Sequence, residues 1–203
     1  MAHSPSHEWY PLLRSSLKKN DKSRDSRYFQ VATVDANGRP TNRTVVYRGF
    51  LPTADGRVDE NVLTFVTDQR SEKVKHLARL PYAEVAWYFP ITREQYRING
   101  KVHVVTQDTT DVMLEKARRM AWSNMSDPGR QQFLWPSPGA ARTGDNESQY
   151  DARQMPKKDD PVAPSFCLCC LEIERVSLLS LKSNERVDFT RGDGTWQASR
   201  VNP

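Results

Sequence analysis

No apolar run in the 203 residues approaches the roughly 18 residues that a membrane-spanning helix needs. The opening residues, Met1-Ala-His-Ser-Pro-Ser-His-Glu, hold no basic segment followed by an apolar one, so no secretory leader is expected. Cysteine is scarce and odd in number: three residues, crowded as Cys167-Leu-Cys169-Cys170. That set fits a reducing compartment, most simply the cytoplasm, better than a disulfide framework. The histidines His3, His7, His76 and His103 share no metal-ligand spacing, and a lone Cys-x-x-Cys split by a third cysteine is a weak zinc signal. No metal is expected. The glycine motifs of dinucleotide-binding folds, P-loops and serine hydrolases are missing. No block of like charge occurs. The net charge of +5 is dispersed among 30 basic and 25 acidic residues, which speaks against a nucleic-acid partner.

What the chain does have is aromatic mass. Five Trp, seven Tyr and seven Phe within 37% hydrophobic content can build one sizeable core, so a single domain over 1–203 is expected. Trp9, Leu12, Leu13 and Leu17 lie at helical spacing in an N-terminal helix within 1–26. A β-branched and aromatic strand at 27–35 then meets Asn37-Gly38, a hairpin signal, with its return strand at 41–50. Further strands are expected at 61–67, 83–89 and 94–105, with a short helix at 70–80 closed by Pro81. A helix at 109–125 with Met113, Ala117, Met120 and Ala121 on one face starts at an Asp108 or Thr109 cap, and a second short helix runs to Trp135. Residues 136–165 hold five Pro and no periodicity, the mark of a long loop or disordered insertion. Strands resume at 166–175 and 177–181, followed by a hairpin of 185–190 and 195–201 around Gly192-Asp-Gly194. The whole reads as mainly β with flanking helices: a small antiparallel barrel.

Three phrases carry the chemistry. In Arg43-Thr-Val-Val-Tyr-Arg48, two arginines bracket residues of buried-strand type. Solvated surface arginines are one reading. An anion is the other, since a guanidinium meets phosphate through a bidentate fork. Strand parity puts positions 43 and 48 on opposite faces, so both reach one ligand only across a bulge or strong twist. Thr67-Asp68 and Ser71-Glu-Lys73 stand where a strand enters a helix, and a helix start offers free N–H groups to an anion. The plain alternative is a capping Asp68 or Ser71 and a solvated Lys73. In Trp87-Tyr-Phe through Gln95, the strand glutamine can pair its amide with a ring or lie exposed. Trp87 and Trp135 are more often core than ligand platforms.

These phrases resemble the pyridoxamine 5′-phosphate oxidase superfamily of FMN-binding split barrels. The likeness rests on Tyr28-Phe-Gln-Val-Ala-Thr, Asn42-Arg-Thr-Val-Val-Tyr-Arg-Gly-Phe50, Thr67-Asp-Gln-Arg-Ser, Arg93-Glu-Gln-Tyr-Arg-Ile-Asn-Gly100, Trp135-Pro-Ser-Pro-Gly139 and the closing Val201-Asn-Pro203. The resemblance covers roughly 25–203 and implies a Greek-key-like split β-barrel and a cytoplasmic homodimer with FMN at the subunit interface. By position it assigns FMN to Arg43, Val45, Val46, Arg48, Val66, Thr67, Ser71, Lys73 and Gln95. Trp135 and Ser137 fall in a segment contributed by the second subunit. Substrate positions fall on Arg48, Trp122, Arg130, Arg186 and Asp188. On the flavin side Glu72 replaces an Arg; the substrate positions depart further, with Trp122, Ser126 and Arg130 standing for a Tyr, Arg, Ser set and Arg186-Val-Asp188 for an Arg-x-His. The implied reaction is oxidation of pyridoxamine or pyridoxine 5′-phosphate by hydride transfer to flavin N5, with O2 reduced to H2O2. A flavin reductase with another planar substrate, or a non-catalytic flavin- or haem-binding protein, are the alternatives that altered substrate positions leave open.

Overall fold

A computed structural model describes residues 9–144, 150 and 155–203. Part of the expected N-terminal helix and part of the expected 136–165 loop lie outside these residues.

Among the described residues eight antiparallel strands form one sheet. They are β1 (Tyr28–Val34), β2 (Pro40–Pro52), β3 (Val58–Asp68), β4 (Tyr82–Phe89), β5 (Glu94–Val105), β6 (Phe166–Ser180), β7 (Glu185–Gly192) and β8 (Thr195–Val201). Their spatial order is β3-β2-β1-β4-β5-β6-β7-β8, and a further pairing of β3 with β6 closes the first six into a barrel. Closure pairs the β3 edge that would otherwise invite pairing with another chain. Strands β7 and β8 continue the sheet outside the barrel.

Strand β6 is one continuous element, where the sequence pattern suggested a break before Ser177. Residues 166–172 pair with β3, residues 175–180 pair with β7, and β5 runs along the other edge throughout. The charged Glu172, Glu174 and Arg175 that interrupt the apolar pattern mark this change of partner. Opposite it, the register shifts between Asn99 and Gly100. A Cβ on Gly100 would lie 1.8 Å from the Glu172 carbonyl oxygen, so only glycine allows β5 and β6 to approach here.

The interior follows from alternation. Phe29, Val31, Phe65, Val85, Trp87, Phe89, Tyr96 and Ile98 all face inward and are buried. Each such side chain contributes about 1.5–3 kcal/mol by leaving water. Trp87 keeps its one polar atom satisfied, donating Nε1–H to the Ser26 carbonyl at 3.0 Å.

Among the described residues four α-helices flank the barrel: α1 (Trp9–Lys19), α2 (Glu72–Arg79), α3 (Val112–Ser123) and α4 (Asp127–Gln131). Trp9 and Leu13 of α1 are buried, with Trp9 against Phe50 and Trp196, while Leu12 is exposed. Asp111 caps α3, its carboxylate accepting from the Met113 and Leu114 amides, in place of the expected Asp108 or Thr109. Met113 and Met120 are exposed, so the buried face of α3 is Ala117, Arg118 and Trp122 instead of the methionine stripe. No helix among the described residues is long and apolar enough to cross a membrane.

Candidate functional site

Strand β3 ends at Asp68 and turns directly into α2. Ser71 stands at the N-cap position in extended conformation, but its hydroxyl makes no capping bond. It turns instead to Lys73. The Lys73 ammonium donates to Thr67 Oγ1 at 2.8 Å and to Ser71 Oγ at 3.2 Å, and the two hydroxyls lie 3.3 Å apart. Thr67 and Ser71 are buried. No carboxylate stands within ion-pair distance of Lys73 among the described residues. Burial, and then the nearby Arg43 cation, lower its pKa. A desolvated cation ringed by hydroxyls and lacking a counter-ion is an anion site.

This triangle forms one end of a cleft of about 500 Å³. The backbone and side chains of Thr44, Val45, Val46 and Arg48 on β2, with Val66 and Thr67 on β3, make one wall. The segment after α4, from Gln132 and Phe133 through Trp135, Ser137 and Gly139, makes the other. Two buried donors on these walls have no hydrogen-bond partner among the described residues: Arg48 Nε and Trp135 Nε1. Burial lowers the pKa of Arg48. An orphaned buried donor is costly, and two in one cleft point to acceptors on a ligand. The only carboxylate lining the cleft among the described residues is Asp68, held by the Arg70 fork at 2.7 and 2.9 Å.

Nine of the eleven sequence-expected flavin residues therefore meet in one cleft: Val45, Val46, Arg48, Val66, Thr67, Ser71, Lys73, Trp135 and Ser137. Two do not. Arg43 lies on the same face of the sheet as its register partner Val31, half-buried, and lines a separate cavity beside Thr41 and His76. The register between β2 and β3 shifts between Tyr47 and Phe50, a stretch that contains Arg48, so the alternation that places Arg43 does not carry through to Arg48. The Arg43 fork donates to the Val31 carbonyl, Thr33 Oγ1 and the Thr41 carbonyl through Nη1, and to Thr41 Oγ1 at 2.7 Å through Nη2. From that position it acts on the cleft through its charge beside Lys73. Gln95 lies on the outward face of β5, opposite Tyr88 and Leu179. Trp135 and Ser137, assigned by resemblance to a partner's site, line the cleft of their own chain.

Of the expected substrate residues, only Arg48 lines the cleft. Trp122 is buried against Phe133 and Phe166. Arg130 is 2% exposed, and its guanidinium donates to the carbonyls of Trp122, Ser123, Met125 and Pro156 and pairs with Asp127. The cause is a break in the helix. The chain leaves α3 after Ser123, and Ser126 starts α4 by accepting from the Gly129 amide. Positions 122, 126 and 130 therefore do not share one helical face, and Arg130 closes the carbonyl end of α3. Arg186 donates to Ser177 Oγ at 3.0 Å and to Asp188 at 3.2 Å, and Asp188 also pairs with Arg175. Arg186 and Asp188 form an outward ion-pair cluster outside the barrel.

Sequence reasoning assigned no role to Arg70, in the turn before α2. No local periodicity could have paired it with Trp135, 65 residues away.

The sequence profile described as pyridoxamine 5′-phosphate oxidase, FMN-binding domain, matches residues 6–106. A protein named pyridoxine/pyridoxamine 5′-phosphate oxidase 2 from Arabidopsis thaliana is 37% identical over 200 residues, spanning 96% of each chain. A crystal structure of a pyridoxamine 5′-phosphate oxidase-related, FMN-binding protein from Nostoc punctiforme is similar with a TM-score of 0.86, at 37% identity and full coverage of both chains. PhzG from Burkholderia lata, solved with tetrahydrophenazine-1-carboxylic acid, has a TM-score of 0.78 at 18% identity, covering 98% of this chain and 95% of its own; that likeness is one of fold.

Proposed function

The chain belongs to the pyridoxamine 5′-phosphate oxidase FMN-binding family, and from that premise we propose that it is an FMN-dependent oxidase of pyridoxine or pyridoxamine 5′-phosphate. The observation that carries the reading is the division of the cleft. A hydroxyl-ringed, unpaired ammonium stands at one end, and two orphaned N–H donors line the apolar remainder. That donor set fits FMN, an anionic phosphate joined to a planar ring edged with acceptors.

FMN, when bound, supplies a two-electron acceptor that O2 returns to its oxidised form. The chain supplies binding and orientation. Thr67, Ser71 and Lys73 would hold the phosphate, with Arg43 adding positive potential from below. Val45, Val46 and Val66 would give the ring an apolar bed, and Arg48 and Trp135 would donate to it. Trp135 and Pro136 wall the cleft against water. Asp68 is committed to Arg70, so among the described residues no carboxylate in the cleft is free to act as a general base. Arg48 is the cation left to meet a substrate anion.

We place the working form as a cytoplasmic homodimer. Gln95, Arg186 and Asp188 lie on outward strands away from the cleft and would reach a flavin only across a subunit contact. Three buried free thiols suit a reducing compartment. A second reading follows from Arg130 and Arg186, both of which already have partners: a planar substrate without a phosphate.

The test is aerobic H2O2 release by FMN-loaded protein given pyridoxine, pyridoxamine and their 5′-phosphates. Turnover confined to the phosphates supports the first reading. Equal turnover of both forms supports the second. A flavin-retaining protein that oxidises none of them removes the oxidase assignment.

A further inference from the structure

The wall that carries Trp135 is a loop, and a loop can present an unpaired donor to a ligand only if something holds its backbone in place. Two contacts do so. Ser165 Oγ donates to the Phe133 carbonyl at 2.7 Å, and Ser165 is itself tied to the end of β3, its carbonyl accepting from the Gln69 amide at 2.7 Å. The second contact is Arg70. Its Nε and Nη2 grip the Asp68 carboxylate at 2.9 and 2.7 Å, and Nη2 also donates to the Trp135 carbonyl at 2.9 Å.

Arg70 thus bridges two residues that line the cleft. On one side is Asp68, next to the phosphate-end Thr67. On the other is the backbone of Trp135, whose indole Nε1–H is buried and unpartnered. The planar fork suits this task. It fixes its own orientation on the carboxylate and has a further N–H for the carbonyl, whereas the point charge of a lysine ammonium cannot hold both partners in fixed directions.

We propose that Arg70 is a positioning residue that fixes the two walls of the cleft at the spacing the flavin needs, aiming Trp135 Nε1 at the bound ring. The inference rests on the reading that flavin occupies this cleft. The Arg70 guanidinium bonds Asp68 and the Trp135 carbonyl and not the Thr67, Ser71 or Lys73 side chains, so its loss weakens FMN and riboflavin by the same factor. A phosphate-binding residue would weaken FMN alone.

The experiment measures dissociation constants of FMN and riboflavin by quenching of flavin fluorescence for wild type, Arg70→Lys and Arg70→Met, with thermal melting of each apoprotein. Arg70→Lys retains the positive charge beside Asp68 and serves as the discriminating variant should Arg70→Met fold poorly. The expected result is a loss of about tenfold for both flavins in Arg70→Lys, the scale of one charge-assisted hydrogen bond, with the apoprotein melting as wild type does. Wild-type affinity in Arg70→Lys would overturn the positioning role, as would a loss confined to FMN. If wild type itself fails to bind FMN, the flavin reading falls first, which separates the two failures.

Discussion

Replacing Lys73 by Met isolates the phosphate end of the cleft. The ammonium sits 2.8 Å from Thr67 Oγ1 and 3.2 Å from Ser71 Oγ, half-buried and without a carboxylate partner among the described residues. A charge-assisted hydrogen bond to a ligand phosphate is worth about 1.5–3 kcal/mol, or roughly tenfold to 150-fold in affinity. FMN should weaken by that factor. Riboflavin, which lacks the phosphate, should bind as before. The apoprotein should respond in the opposite direction. Burial and Arg43 lower the pKa of Lys73 in the fold, so the native state holds fewer protons than the unfolded chain between the lowered value and the ordinary lysine value. Stability therefore rises with pH across that window. Lys73→Met should remove this rise, and it should leave the apoprotein at least as stable as wild type at neutral pH. The assay pairs flavin fluorescence titration with urea unfolding of the apoprotein at several alkaline pH values. Equal weakening of FMN and riboflavin, or an unchanged pH slope, would refute the placement of an uncompensated cation at the phosphate end.

Other consequences follow from buried groups that do not themselves line the cleft. Arg130→Met strands the carbonyls at the end of α3 and should cost about 3 kcal/mol in urea unfolding while leaving the FMN-to-riboflavin affinity ratio intact. Gly100→Ala places a methyl group against the Glu172 carbonyl and should cost about 3 kcal/mol or more, read as a lowered melting temperature. The cysteine cluster should be inert to a thiol reagent in the native protein and react quickly once unfolded. Burial pushes Cys170 up to about 12, and Cys169 is raised by its hydrogen bond with Cys167 and by burial.

The strands were legible because alternation and turn chemistry are local. Asn37-Gly38 and Asp193-Gly194 mark the hairpins, and inward positions such as Phe29, Val31, Trp87 and Ile98 follow period two. The flavin-type residues on β2, β3 and the α2 turn were legible because short sequence runs carry them into one region. What failed depended on geometry between elements. The resemblance carried Arg130 to a substrate position on the assumption of one continuous helix, but the helix breaks between Ser123 and Ser126. Strand parity puts Arg43 and Arg48 on opposite faces, but the register shift between Tyr47 and Phe50 takes in Arg48, while Arg43 is held by Thr33 and Thr41 outside the cleft. The long apolar β6 looked like two strands because its partner changes midway, an event that no local pattern records. Arg70 was missed because its partner carbonyl lies in a proline-rich stretch with no periodicity to place it.

The central claim is the location and polarity of the flavin, and a crystal structure of the FMN-loaded protein tests it most directly. The expected result is a phosphate against Thr67, Ser71 and Lys73, with the ring between β2 and the Trp135 segment and accepting from Arg48 Nε and Trp135 Nε1. A flavin bound outside this cleft, or bound within it with its phosphate away from Lys73, would contradict the account.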